Sequence, residues 1–146
     1  MRIILDTNAL LSALLSPNGA TTTLLDAWER EAFTLVTCEE LIAELRDVAS
    51  RPFFRARLRG SAVELLAVGL QDFSSYCGDL APGRVTPNRK DSYLLALAEA
   101  GQAAFIVTGD KELLSLKEHK STRLITPTAM IELLKEAESR KQVKEK

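Results

Sequence analysis

The chain has 146 residues, 46% of them hydrophobic and 27% charged, with 19 basic side chains against 20 acidic ones and a net charge of −1. That length suits one domain with a proper core, and the charge balance excludes a globally basic nucleic-acid binder, leaving room only for a local patch. Two cysteines and one histidine exclude a disulfide scaffold and a histidine-rich zinc site, and reduced thiols suit a cytoplasmic protein.

The chain starts with Arg2-Ile3-Ile4-Leu5-Asp6-Thr7-Asn8. Three consecutive apolar residues, two of them β-branched, suit a strand of a parallel sheet covered on both faces. Asp6 and Asn8 interrupt the run, which is too short for a signal peptide. A helix is expected over 8–15, so a carboxylate sits where a buried strand gives way to a helix. In open α/β sheets that edge binds ligands. The plainer reading is that Asp6 and Asn8 cap the helix.

Ser16-Pro17-Asn18-Gly19 is a turn signal. A second helix follows over about 20–30, with Leu24, Leu25 and Trp28 on one face, and then a strand over 33–37. Thr37-Cys38-Glu39-Glu40 matches a capping box before a helix that reaches about Ala49 and stops ahead of Pro52. A short helical turn over 53–58 is basic, with Arg51, Arg55, Arg57 and Arg59 in and around it. Ser61-Ala62-Val63-Glu64 offers a second box for a helix through about Phe73. Residues 77–89 hold two glycines and two prolines and read as loop, with at best a short strand. Residues 91–100 read as a buried helix ended by Gly101. Ala104-Phe105-Ile106-Val107-Thr108 is a buried strand that ends in Gly109-Asp110, followed by a helical turn over 111–116. A short strand over 123–125 leads to Thr126, which caps a helix with Pro127 at its first position. This helix is expected to run to about Arg140, leaving 141–146 as a frayed, charged tail after a single domain over 1–140. No apolar run approaches the ~20 residues of a membrane span. Strands alternating with helices imply parallel pairing and right-handed crossovers. The expected fold is a three-layer α/β/α sandwich around a parallel sheet of four or five strands.

Two strands in this scheme end on an acid, Asp6 and Asp110. In a parallel sheet both fall on one edge. Asp91 starts the helix that returns to the Phe105 strand, which places it at the same edge if that helix runs antiparallel to the strands. Glu44 lies one to two turns into the helix after the second strand, near the same place. Like charges gathered this way repel, and burial raises the cost. A hard divalent cation makes such a cluster tolerable and can activate water for phosphodiester cleavage. Taken singly, each acid reads as a helix-terminus or surface charge; the convergence carries the reading.

Leu5-Asp6-Thr7-Asn8, Glu44 within Glu40-Leu41-Ile42-Ala43-Glu44-Leu45, Asp91 before Tyr93-Leu94-Leu95-Ala96, and Val107-Thr108-Gly109-Asp110 together resemble the PIN-domain ribonucleases, in particular the VapC-like toxins of toxin–antitoxin pairs. The resemblance spans Arg2 to about Leu134. It implies an endoribonuclease that cleaves single-stranded RNA with Mg²⁺ or Mn²⁺, with Asp6, Glu44, Asp91 and Asp110 as metal-binding catalytic acids. It makes Asn8 and Thr108 the groups that orient Asp6 and Asp110 by hydrogen bonds. It further implies an antitoxin partner laid along the active-site groove and a homodimer, for which the Leu24-Leu25-Trp28 face is a candidate surface, with core burial the simpler alternative. One departure is visible: many relatives carry an additional acid where this chain has Asn88. Basic residues near the edge, Arg46, Arg51, Arg84, Arg89, Lys90 and Lys111, are candidates for RNA phosphate contacts, though any one of them also reads as an ordinary solvated charge. Base stacking is hard to place, because seven Phe and Tyr residues and one Trp must also supply the core.

Other classes fit less well. A haloacid-dehalogenase-type phosphatase wants a second aspartate where Asn8 stands and an acid where Leu114 stands. A receiver-type signalling domain needs a lysine at the end of a later strand. A PIN-type module that binds RNA or protein without cutting is the nearest alternative, and the four matched acids argue against it.

Overall fold

A computed structural model of the chain describes residues 1–78 and 89–144, with side chains described outside 89–92 and 142–144. The elements follow in the order β1 (Arg2–Leu5), α1 (Thr7–Leu15), α2 (Ala20–Glu29), β2 (Thr34–Cys38), α3 (Glu39–Ala49), α4 (Pro52–Arg55), α5 (Gly60–Phe73), β3 (Ser75–Cys77), α6 (Arg89–Ala100), β4 (Phe105–Val107), α7 (Lys111–Ser115), β5 (Glu118–His119), β6 (Thr122–Ile125) and α8 (Pro127–Lys144). The strands make one sheet in the order β3-β2-β1-β4-β6-β5. All neighbours pair in parallel except β5, which runs antiparallel to β6. The chain is therefore an α/β/α sandwich around a mostly parallel sheet.

β1 lies in the interior of the sheet, between β2 and β4, with Ile3 opposite both Leu35 and Phe105. Its position explains its composition: a strand covered on both faces has no polar side, and Ile3, Ile4, Leu5, Ile106 and Val107 are all essentially inaccessible. Each large side chain so buried contributes roughly 1.5–3 kcal/mol. α1 packs on α2 and α3, α2 on α8, α3 on α5, and α6 over β2 and β4. Gly101, just after α6, is fixed by close approach: a Cβ there would stand 2.5 Å from Cγ1 of Val36.

The sheet has six strands among the described residues, against the four or five expected. The extra members are edge pieces of two or three residues, β5 and β3, too short to carry a hydrophobic period. The capping box at Thr37 does not form. β2 continues through Thr37 and Cys38, which pair with Tyr76 and Cys77 of β3, and Cys38 becomes the helix N-cap without a side-chain bond. Burial pushes the Cys38 thiol up to about 12, so it acts as a packing residue. The box at Ser61 is likewise absent, because α5 starts two residues earlier than that box requires, at Gly60 with Arg59 as its N-cap. The cap at Thr126 is present: its hydroxyl accepts from the Ala129 N–H at 3.2 Å. α8 continues to Lys144, into the stretch expected to fray. The Leu24 face of α2 is used by the chain itself: Leu24 is fully buried, and Leu25 and Trp28 pack against the core. Among the described residues no helix is long and apolar enough to cross a membrane.

Candidate active site

β1 and β4 are parallel neighbours in register, with Leu5 opposite Val107. Their carboxyl ends therefore deliver Asp6 and Asp110 to one edge. The two turns are also stitched together: the Asp6 N–H donates to the carbonyl of Val107 at 3.2 Å. Each acid caps the helix that follows it. Oδ1 of Asp6 accepts from the Ala9 N–H at 2.8 Å, and Oδ1 of Asp110 accepts from the Glu112 N–H at 2.8 Å. Capping and clustering are not alternatives here. One oxygen of each carboxylate caps, which leaves the other for different work.

Thr108 bridges the two acids. Its hydroxyl donates to Oδ2 of Asp6 and accepts from the Asp110 N–H at 3.0 Å. A buried threonine at the end of β4 thus sets the orientation of one carboxylate and the backbone of the other. Asn8 lies on the cleft wall, exposed, and among the described residues its side chain makes no hydrogen bond to Asp6.

The third acid comes from α3. Glu44, Asp47 and Val48 follow at i, i+3 and i+4, so they share one face of α3, and that face, with Arg51 just past the helix end, lines the cleft with Asp6, Thr7, Asn8, Asp110, Tyr93 and Leu94. The cleft encloses about 570 Å³. Tyr93, in the second turn of α6, donates its phenol to Oε2 of Glu44. Burial and this bond push the Tyr93 titration far up, so the phenol remains a neutral donor.

Asp6 is only 4% exposed. Burial pushes its carboxyl up from the ordinary aspartate value; hydrogen bonds from Thr108 and the Ala9 N–H pull it down, and the charges of Asp110 and Glu44 push it up again. No cation is among these causes. A second buried group also lacks compensation. The Thr7 hydroxyl is near enough to the Tyr93 phenol to influence it, yet no hydrogen-bond geometry is met and Oγ1 has no partner. Four carboxylates, Asp6, Glu44, Asp47 and Asp110, and an orphaned hydroxyl line the cleft as a set of hard oxygen donors, which fits a hard divalent cation. Among the described residues they do not close into a compact cage of three acids.

Asp91 falls in the first turn of α6, two residues before Tyr93, and its side chain lies outside the described residues. The same holds for Arg89 and Lys90, while Arg84 and Asn88 lie wholly outside them. Arg51 lines the cleft and pairs with Asp47 at 3.4 Å. Arg46 does not line it. Two residues on from Glu44 it points around the helix, where it makes a forked pair with Glu64 at 3.0 and 3.3 Å. Lys111 is exposed at the start of α7 and does not line the cleft. Sequence reasoning missed Thr7, Tyr93 and Asp47. The spacing from Glu44 would have found Asp47; nothing in the sequence distinguishes Thr7 from turn punctuation.

A parallel α/β/α sheet that gathers acids at its carboxyl edge defines a class of domain with a built anionic site at the usual ligand-binding edge. The chain belongs to the PIN domain family, which its residues 2–112 match. It is also similar to the uncharacterized protein MJ1680 of Methanocaldococcus jannaschii, 30% identical over 121 residues, which cover 81% of this chain and 76% of that protein. PIN domains are generally nucleases, and PIN nucleases generally use divalent metals.

Proposed function

We propose that the protein is a Mg²⁺- or Mn²⁺-dependent endoribonuclease that cleaves single-stranded RNA, acting in the cytoplasm as the toxin of a toxin–antitoxin pair. The observation that carries the nuclease reading is the meeting of Asp6, Glu44 and Asp110, from the turn after β1, α3 and the turn after β4, on one cleft wall. Asp6, Glu44 and Asp110 are the proposed metal-holding acids, with Asp91 as a fourth. When bound, the cation supplies activation of water and neutralisation of charge on the phosphodiester. The chain's own residues do the positioning. Thr108 and the Ala9 N–H fix the Asp6 carboxylate, Tyr93 fixes Glu44, and Arg51 offers a cation to an RNA phosphate at the rim. Family membership supports nuclease chemistry; the antitoxin and the homodimer rest on the resemblance to VapC-like toxins.

The test is cleavage of an end-labelled single-stranded RNA with Mg²⁺ or Mn²⁺ and with EDTA. Cleavage that needs the metal is expected; equal cleavage in EDTA overturns the metal mechanism. Co-expression with a small protein encoded beside this one is expected to give a stable complex that suppresses cleavage. Separate elution of the two with activity unchanged would remove the toxin reading and leave the nuclease.

A further inference from the structure

The cleft wall built by α3 continues past the helix end to Arg51. Arg51 is the N-cap of α4, so the chain passes directly from the cleft wall into that short helix. From Arg51 to Arg59 the sequence holds four arginines and no acid, a local excess in a chain of net charge −1. These arginines are weakly committed. The Arg51–Asp47 pair is exposed on both sides, a kind of pair worth only ~0–1 kcal/mol, and among the described residues Arg55 and Arg59 make no ion pair. An aromatic ring stands among them. Phe53 is 53% exposed, meets Phe54 edge to face with centroids 5.0 Å apart, and carries the Arg57 guanidinium 3.8 Å from its centroid. Arg57 is held there by a 2.8 Å bond from Nη1 to the Phe53 carbonyl.

Phe53 thus leaves about half its surface in water while its ring meets Phe54, which packs against the core. Among arginines of which Arg55 and Arg59 make no ion pair within the described residues, it has the composition of a single-strand platform: cations track the backbone while flat groups receive bases. We propose that Arg51, Phe53, Arg55, Arg57 and Arg59 form a landing platform for single-stranded RNA that starts at Arg51 on the cleft wall and runs outward to Arg55, which lines a separate groove with Arg46 and Glu64. Arg51 contacts the phosphate nearest the cleft, and a base outside the cleft stacks on the Phe53–Arg57 pair. The proposal rests on the ribonuclease reading for its substrate. Stacking is indifferent to base identity, so the platform selects unpaired strands over duplex without reading sequence.

The test measures binding of a fluorescein-labelled single-stranded RNA of about 12 nucleotides, and of a duplex of equal length, to the full chain in EDTA. Phe53→Ala is expected to weaken single-strand binding at least about five-fold and to leave duplex binding alone. Arg55→Gln is expected to flatten the salt dependence of single-strand binding by about 0.7 in the log–log slope. Should Phe53→Ala fail to fold, Arg57→Gln removes only the guanidinium and carries the same expectation. Wild-type affinity in all variants overturns the platform and gives the face to another partner, such as an acidic protein segment. Equal loss on single strand and duplex also overturns it, leaving charge alone. Cleavage is scored separately. Variants that bind as wild type while the wild type cuts RNA with Mn²⁺ sink the platform and spare the nuclease. Variants that lose binding while the wild type never cuts RNA support the platform and sink the nuclease.

Discussion

The turns after β1 and β4 use the same local device in different surroundings. In each, an aspartate ends a buried strand and caps the next helix through Oδ1. Asp6 caps a nine-residue helix deep in the sheet and is almost inaccessible, whereas Asp110 caps a five-residue helix near the surface and is half-buried. Identical capping chemistry therefore carries different electrostatic costs. The Asp6 carboxyl bears the full desolvation penalty and the repulsion of two neighbours. A cap alone does not explain burying a charge, because asparagine caps as well at lower cost. The buried charge makes sense if a cation shares the site.

Replacing Asp6 tests that contrast most severely. Asp6→Asn keeps a cap acceptor and removes the charge, and cleavage is expected to fall below detection. The stability effect follows from linkage. The folded-state value for Asp6 is raised above its ordinary 3.8, so Asp6 favours the fold below the unfolded value, and that contribution is lost as pH rises through the raised one. In EDTA the melting temperature of Asp6→Asn should therefore gain on wild type as pH rises from below 3.8 toward neutrality. Mg²⁺ or Mn²⁺ should then stabilise the wild type by mass action and leave the variant unmoved. A gap that stays flat with pH, together with surviving cleavage, would reduce Asp6 to a cap.

Thr108 is where the two turns depend on one another, so Thr108→Val strikes both at once. The substitution keeps the shape and removes a donor to Asp6 and an acceptor for the Asp110 N–H. Because Thr108 is fully buried, the orphaned groups should cost about 1–3 kcal/mol of stability. Metal affinity or activity should fall about 10–100-fold. Thr108→Ser restores the hydroxyl and should recover most of both. Melting curves and Mn²⁺ titrations of the pair decide it: a valine variant that binds metal as wild type does would make Thr108 a packing residue.

The parts visible in the sequence were those where one physical demand dominates. Ile3-Ile4-Leu5 and Phe105-Ile106-Val107 read as buried strands because they have no polar face, and the acids ending them fall on one edge by the geometry of parallel pairing. Glu44 was placed near that edge by helix position. β3 and β5 were invisible because strands of two or three residues are decided by their neighbours. The capping box at Thr37 was misread for a related reason: pairing with β3 keeps Thr37 in the strand. Arg46 reads as a neighbour of the cleft in sequence, but two residues from Glu44 is about 200° around a helix. Tyr93 escaped because a tyrosine in an apolar helix looks like core, and its use depends on a glutamate 49 positions away.

Glu44 extends the comparison to an acid with no turn around it. Asp6 and Asp110 are fixed by backbone N–H groups, which no substitution removes without remodelling the turn. Glu44 sits within α3, and among the described residues its one hydrogen bond is accepted from the phenol of Tyr93. Tyr93→Phe keeps the ring and removes that donor. Glu44 is half-buried, so water can replace the phenol, and the stability cost should be only about 0.5–1.5 kcal/mol. Released from its partner, the carboxylate should sample more orientations, and Mn²⁺ affinity should weaken at the low end of the range for such supporting groups, about 10-fold. Cleavage at saturating Mn²⁺ should recover much of the lost rate, because the defect lies in holding the metal-binding group. A purely structural tyrosine would give a lower melting temperature with unchanged Mn²⁺ affinity, and that result would remove Tyr93 from the site. A large loss that high Mn²⁺ does not repair would contradict the positioning role from the other side, since the phenol would then be acting on the reacting groups themselves.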